Sequence, residues 1–556
     1  MSAERGLAGI ADLPLGVDRI PFRVYFAIIV NVAERFSYYG LTIPFRKANH
    51  IGANEVSELG SFRSLTFDQS TLENYVQNAY NAGAHERPGV LGLGQTAATA
   101  INNAFFTLQT IAALAGAVLA DGWLGRYNLL LITSFVYLVG TLLLVLTSIP
   151  TAIEHGAAPA GFAISLVLIA AGSGGFQSTV SAFIGDQYVG NGRNPVTKKN
   201  GEVYMPDRDL TLQYIYNLNY WGLNIGAISG IASTFLELHY GFWTAFLLPL
   251  SGLWIAPVTL LFGRKSFIYE RPKENALAGK RRAFSRLFAQ RFGRKPKVSH
   301  GSGLGPISSP GDDEDEGDIK QALYVCRVLL IFILVYVCVG QSSNNFIAQA
   351  GQMQTHGLPN DLIWYFNPIL VVVLLPFVQW LRQIVLNHLH IRFGPMMRMI
   401  VGCFFFALSM AYAAIVQQLI YNSGPCYNFP TQCDAAAGGP NNISVWVQFP
   451  VYVFIALAEI LAITTAYKFA YDKAPESMKS LVQGVLLAMQ GIGALLDLAI
   501  SPTAQNPKLV IMYATLAAIM FAAMSVFAVL YWKDDRVVTV DDPILEVPEA
   551  QKEKPQ

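Results

Sequence analysis

The chain has 556 residues, of which 53% are hydrophobic and only 13% charged, and its formal net charge is +1 at pH 7. Ordinary soluble domains carry about a quarter charged residues, so this composition excludes that class. The near-neutral balance and the lack of a basic stripe with interleaved aromatics give no footprint for a nucleic-acid partner.

Apolar runs recur from end to end, each of about 20 residues or more and long enough to cross a hydrocarbon core of roughly 30 Å. Twelve spans are predicted, at about 22–46, 93–119, 127–149, 160–185, 211–237, 241–263, 320–346, 361–385, 394–420, 445–471, 477–501 and 507–532. Scattered Gly and Pro do not disqualify them, because membrane helices tolerate both. The expected class is therefore an all-α membrane protein embedded in the lipid bilayer. A tail at 1–21 precedes a six-helix bundle at 22–263; a polar linker at 264–318 precedes a second bundle at 319–532 and a tail at 533–556. The first twenty residues lack the basic start and compact apolar core of a cleavable signal peptide, so the first span is expected to serve as the targeting signal.

The first span carries N-V-A-E-R-F-S-Y-Y-G, Asn31 to Gly40. On a helix Asn31, Glu34, Arg35 and Tyr38 fall at i, i+3, i+4 and i+7 and share one face. An acid and a base at membrane depth are costly, and they mark an ion or substrate path or else lock two helices together. Two tyrosines and Gly40 follow the pair, which favours the floor of a transport pathway. The loop at 48–90 is long but carries no chemical signature.

After the second span comes G-A-V-L-A-D-G-W-L-G-R-Y, Gly116 to Tyr127. Asp121 and Arg126 are expected at the facing ends of two helices, joined by a turn that Gly122 and Gly125 permit. Their spacing resembles the inter-helix signature of the major facilitator superfamily, in which such a pair latches one state of an alternating-access cycle. A capping acid beside an orienting arginine is the plainer reading.

The fourth span contains G-S-G-G-F-Q-S-T-V-S-A-F-I-G-D-Q-Y, Gly172 to Tyr188. Its glycines allow close helix approach, and Gln177 places a neutral polar group at depth. In the fifth span N-Y-W-G-L-N-I-G sets Asn224 among apolar residues, beside Tyr220 and Trp221. The linker opens with basic residues from Arg264 to Lys297 and turns to Gly/Ser/Pro and an acidic run, Asp312 to Glu316. This composition favours a solvated segment, with room for a short surface helix near 275–292.

In the second half, Q-S-S-N-N-F-I-A-Q-A-G-Q-M (Gln341 to Met353) closes the seventh span and F-N-P (Phe366 to Pro368) opens the eighth. Pro368 withdraws a backbone donor, which predicts a kink beside Asn367. The tenth span sets Glu459 in apolar surroundings, where a carboxylate must be paired or neutralised. Lys468, nine residues on, is expected to extend to the surface.

Lys and Arg concentrate in linker 264–318 and around 193–208 and 382–398, while 150–159, 238–241 and 421–444 are nearly free of them. The positive-inside rule then puts both termini and the basic loops in the cytoplasm. On the far side a Cys426–Cys433 disulfide and a glycan on Asn442 are plausible. Cys326, Cys338 and Cys403 read as packing residues, and five cysteines do not make a disulfide scaffold.

Taken in order, AERFSYYG, ADGWLGRY, SAFIGDQY, NYWGLN, NFIAQAGQM, FNP and AYDKAPESMKSLVQG resemble the proton-dependent oligopeptide transporter family, in particular its fungal branch. The resemblance runs from about Phe22 to Trp532. It implies the major facilitator fold, twelve transmembrane helices in two six-helix bundles, a central cavity and proton-driven uptake of small peptides. It implies substrate contacts at Arg35, Tyr38, Tyr39, Gln177, Asn224, Asn367 and Glu459, with Glu459 receiving the peptide's α-ammonium. Proton coupling is implied at Glu34 and Glu459, and a conformational latch at Asp121 and Arg126. The plasma membrane is the family's default location, and a monomer suffices for the mechanism.

The chain departs from the family twice. Asn31 stands where a second glutamate is usual, and Gln177 where a lysine is usual. Deleting one acid and one base together leaves the net charge unchanged. Coupling lost, coupling moved to Glu34 and Glu459, and a shifted substrate all fit. The alternatives are a carrier or exporter of a non-peptide or modified-peptide metabolite, and a nutrient receptor signalling through the linker. No nucleophile–base pair, metal-ligand cluster or phosphate-cradling loop is present in the sequence, so neither an enzyme nor a cofactor or metal is expected.

Overall fold

The computed structural model describes residues 15–42, 90–91, 93–190, 195–197, 201, 203–269, 310–343, 345–355, 360–389, 394–430, 441–500, 503–504 and 506–533. Among the described residues, twelve long helical segments make up the fold, with one short helix, Pro150–Glu154, between the third and fourth. They are α1 (Phe22–Thr42), α2 (Gly94–Leu119, ending in a π turn at Ala120–Leu124), α3 (Arg126–Thr147) and α4 (Ala158–Asp186). Next come α5 (Arg208–Ala227, continued by Ser229–Tyr240) and α6 (Phe242–Leu253, continued by Ile255–Phe262). In the second half, α7 is Pro310–Leu329, continued by Phe332–Ser343 and Asn345–Ala350, and α8 is Phe366–Leu389, entered through a 3-10 stretch at Asn360–Tyr365. Then follow α9 (Pro395–Asn422), α10 (Phe449–Ala458, a π turn at Glu459–Ile463, then Thr464–Lys473), α11 (Lys479–Ile500) and α12 (Leu509–Tyr531).

Ten of these segments are long and apolar enough to cross a membrane. The two that fall short are α1 and α5, which carry Asn31, Glu34 and Arg35, and Gln213, Asn217, Asn219 and Asn224. Polar residues that dilute their hydropathy bond across helices: Asn31, for example, donates to Asn219 on α5, and Gln213 to Thr464 on α10. Outward faces are apolar, as a lipid-exposed surface requires: Ile511, Val529, Val373 and Leu495 are all exposed.

Small residues set the helix spacing inside the first bundle. A Cβ on Gly172 would stand 2.6 Å from the backbone nitrogen of Tyr137 on α3, and one on Gly116 would stand 2.7 Å from the Cα of Gly175. Gly40 does not interrupt α1; it lets the helix pass Pro249 of α6, whose Cγ would lie 2.9 Å from an added Cβ. Of the two glycines in the α2–α3 turn, only Gly125 uses a positive φ, 77°. Two small sheets cap the ends. β1 (Leu15–Gly16) pairs in parallel with β3 (Val203–Pro206), which pairs antiparallel with β2 (Val196–Thr197). At the opposite end β4 (Met353–Gln354) runs parallel to β5 (Asn441–Ser444).

Several expectations need correction. Helix α7 begins at Pro310, so the acidic run Asp312–Glu316 is helical instead of part of the linker. Pro368 falls in the first turn of α8, where a missing N–H breaks no helical bond, and the interior proline is Pro376. Lys468 does not extend to the surface: it is 1% exposed. Cys426 is disulfide-bonded and Cys326, Cys338 and Cys403 are free; Cys433 lies outside the described residues. The 48–89 loop, the expected helix at 275–292 and positions 43–46 also lie outside them.

Candidate substrate and coupling site

Helix α1 brings the first charges to the centre. Arg35 Nε lies 3.1 Å from Glu34 Oε2; the glutamate side chain is fully buried and the arginine side chain is 14% exposed. The guanidinium also stands 5.1 Å from the ring centroid of Tyr38 and 6.0 Å from that of Tyr39, where the ring quadrupole attracts it. Gln177 on α4 faces Glu34. Its Nε2 and both carboxylate oxygens of Glu34 are buried and make no other hydrogen bond among the described residues, so the amide and the acid are left to each other. Asn31 donates to Asn219 Oδ1 of α5 at 2.8 Å, a neutral bond between buried amides. Tyr38 donates to Gln109 at 3.3 Å, and Gln109 donates to Ser173 Oγ at 3.0 Å, which ties α1, α2 and α4 together.

Glu459 supplies the opposing charge. It opens the π turn of α10, a feature that widens the helix and often marks a functional position. Tyr220 of α5 donates to its Oε2 at 2.7 Å, and Asn367 of α8 donates to its Oε1 at 2.9 Å. Both partners are neutral, and among the described residues the carboxyl group has two donors and no cation. Asn367 Oδ1 remains buried without a partner. Asn224 is half-buried one turn beyond Tyr220 and donates to the Tyr220 carbonyl at 2.9 Å. Trp221 donates to the Val372 carbonyl at 3.0 Å, a second contact between the halves at this level. Tyr39 lies within electrostatic reach of both Arg35 and Glu459 and packs against Trp364 with centroids 6.5 Å apart. The seven positions expected to contact substrate, and Glu34, thus lie on α1, α4, α5, α8 and α10.

Asp121 and Arg126 sit at the basic-loop end. Arg126 lies 3.3 Å from Asp121, but its shorter contact is Asp186 Oδ2 on α4 at 2.6 Å. It then crosses to the other half, donating to Ser480 Oγ at 3.1 Å and to the Glu476 carbonyl at 2.9 Å. Asp121 accepts from the Leu481 backbone N–H at 2.9 Å. Beside this lies an ionic network that the sequence did not reveal. Lys468 of α10 pairs with Asp209 of α5 and, at 3.5 Å, with Asp472. Arg208 reaches Asp472 at 2.7 Å, and Arg398 of α9 bonds Gln213 at 2.5 Å. Signals were available in the buried charges, since Asp186, Arg398 and Lys468 have little reason to lie in helices unless paired. Which partner each takes depends on the packing of the two halves.

Comparison with known proteins gives the family. The model of the POT family (PTR2) matches residues 127–518, and the chain belongs to that family. It is 35% identical over 528 residues to the probable peptide transporter ptr2 of Schizosaccharomyces pombe, covering 94% of this chain and 79% of the relative. It is 34% identical over 524 residues to the peptide transporter PTR_A of Candidozyma auris, covering 92% and 82%. Among solved structures, the POT family transporter PepTSo superimposes with a TM-score of 0.60 at 19% identity, covering 94% of this chain and 99% of that one. The chain is a multi-pass integral membrane protein with the major facilitator fold.

Proposed function

We propose that the chain moves small peptides or peptide-like solutes across the membrane by alternating access, coupled to protons. One observation carries the reading: Glu459 is 3% exposed and held by one donor from each half, with no cation beside it among the described residues. A buried carboxylate so placed is suited to an incoming ammonium. Peptides, which the relatives' names specify, carry that group on a short polar backbone.

The cycle follows from what ties the halves together. An α-ammonium at Glu459 competes with Tyr220 for the carboxylate and leaves the peptide's amides to Asn367 and Asn224. The far end of the solute is directed toward Arg35, Gln177 and the Tyr38–Tyr39 rings. A proton on Glu34 removes the charge that holds Arg35 and frees the guanidinium for a carboxylate. Since ligands shift an equilibrium only by binding its states unequally, bridging both halves favours the closed form. The Asp121–Arg126 pair, with Asp186, Ser480 and Glu476, latches the basic-loop end in one state. We assign that end and both termini to the cytoplasm from the loop charges, and we place the protein in the plasma membrane as a monomer.

The test is uptake of a labelled dipeptide in peptide-transport-deficient yeast, in acidic and neutral medium, with wild type and Glu459→Ala. Uptake that is faster in acid and lost in the variant supports the reading. A protein that reaches the surface and takes up no peptide under either condition overturns it.

A further inference from the structure

One acid in the second half plays no part in the cycle above. Asp497 lies on α11, half-buried in the seam where that helix meets α7. Gln341 of α7 donates to its Oδ1 at 2.8 Å and itself accepts from Asn345 at 2.6 Å, so the donor end of the amide is turned to the acid. The other oxygen, Oδ2, occupies the space that a side chain at Gly340 would fill. Gln341 stands nine residues before the end of α7 at Ala350, about 13 Å along the helix. An ionisable side chain at such a place is costly, and it marks a functional position unless a partner neutralises it.

Nothing that faces Asp497 does so. Among the described residues its only hydrogen bond is the one from Gln341, and no Lys, Arg or His pairs with it. From Phe332 to Ala350 the titratable groups of α7 are Tyr336 and Cys338, and α2, which also packs on α11, has none from Gly94 to Leu119. Charges from the other neighbours gather at the start of α11. There Arg126, paired with Asp186 of α4, donates to Ser480, and Ser477 donates to Asp318 of α7. Lys468 of α10 pairs with Asp209 and Asp472. Ser480 is seventeen residues from Asp497, about 25 Å along the helix.

Packing links this acid to the cycle, because α11 touches both halves. A Cβ on Gly491 would stand 2.9 Å from Thr110 Oγ1 of α2, and one on Gly493 would stand 2.9 Å from Tyr336 Cβ of α7. A shift of one half against the other therefore bears on the seam that encloses Asp497. The packed seam offers the acid a single neutral donor, which suits an unionised carboxyl; an anion there would lack the partners that a buried charge needs. A parted seam gives the carboxyl to water, where it can release its proton.

From this geometry we infer that Asp497 is a proton-carrying site of the transport cycle, additional to Glu34, which holds its proton while α7 and α11 are packed and yields it when they part. This deepens the transport reading above and rests on it. Glu34 governs whether Arg35 is free, and so sets how the rate of uptake responds to acid. Asp497 makes no hydrogen bond or ion pair with any substrate position among the described residues, and sets how many protons accompany each solute.

The experiment is accumulation of labelled alanylalanine by the purified full-length protein in proteoliposomes, under a gradient of about one pH unit, acid outside, with the membrane potential clamped at zero. Each coupled proton then multiplies the accumulation limit by about ten. Asp497→Asn keeps an oxygen for Gln341 but carries no titratable proton. Its limit is expected to fall about tenfold below wild type, while exchange of labelled for unlabelled dipeptide without a gradient continues at the wild-type rate. Asp497→Ser serves equally if the amide variant is poorly produced. A variant that accumulates as far as wild type overturns the inference and leaves peptide transport intact. So does loss of exchange in both variants, which would make Asp497 a packing residue, and so does a wild type that exchanges the dipeptide without accumulating it. Wild type that neither exchanges nor accumulates the dipeptide overturns the transport reading itself.

Discussion

Tyr220 on α5 and Glu459 on α10 join the two halves of the molecule through a hydrogen bond of 2.7 Å. The donor is neutral and the acceptor is a carboxyl group, so the bond joins the halves without an ion pair. In the proposed cycle a substrate ammonium competes for the same oxygen and replaces this bond.

Glu459→Gln tests that exchange with little change in volume. The amide keeps a carbonyl oxygen for one donor but offers no charge to an ammonium. Peptide uptake is expected to fall roughly tenfold to a hundredfold, with surface expression near wild type. Initial-rate uptake normalised to surface protein measures it; unchanged uptake would exclude Glu459 from the substrate site.

Glu34 gives the pH test. In wild type a proton on Glu34 releases Arg35, so free-acid peptide uptake should rise as the medium is acidified. Glu34→Gln leaves Arg35 released at every pH. Uptake by this variant should be high in neutral medium and should no longer rise in acid. A variant that still accelerates on acidification places the coupling elsewhere, with Glu459 the next group to examine.

The basic-loop end provides a conformational test. Lys468 is buried and pairs across the halves with the half-exposed Asp209, and with Asp472 at 3.5 Å on its own helix, so its removal takes away an ionic contact that joins the halves. Lys468→Met and Arg126→Ala should each open this end. Thr464 meets Gln213 across the interface at 3.4 Å, so a cysteine there reports the opening. With Cys326, Cys338 and Cys403 replaced by alanine, its reaction with a maleimide should accelerate about tenfold in either variant. An unchanged rate would mean that neither contact holds the end closed.

Packing within the first bundle is tested at Gly172. Alanine there would set a Cβ 2.6 Å from the Tyr137 backbone, and a backbone cannot rotate away as a side chain does. Gly172→Ala should cost about 1–3 kcal/mol. Thermal unfolding of the purified protein in detergent should show a clear fall in midpoint. An unshifted midpoint would show that α3 and α4 can separate without loss.

Parts of this arrangement were legible along the chain because they are local. Helix-length apolar runs located twelve segments, and Gly125 marked the turn that brings Asp121 toward Arg126. Glu34 and Arg35 are adjacent in sequence, so their nearness was legible, although i and i+1 side chains do not face each other on a helix and the 3.1 Å contact came only from the structure. The start of α7 was misplaced because its first turns are acidic, and such residues read as solvated linker until the helix is seen. Pro368 was misjudged because a proline breaks a helix or starts one according to its position, and helix ends are the least certain feature of a sequence.

The sequence by itself determined that the chain spans membranes, that it has two six-helix halves and that costly charges lie at depth. It also carried the motifs of the POT family. Those follow from local hydropathy and short-range spacing. Only the tertiary structure decided who meets whom. Glu459 is bonded by residues 239 and 92 positions away, and Lys468 is paired with an aspartate 259 positions away. A buried charge announces that it needs a partner, but its choice depends on how helices from opposite halves face each other. No residue spacing along one helix encodes that register.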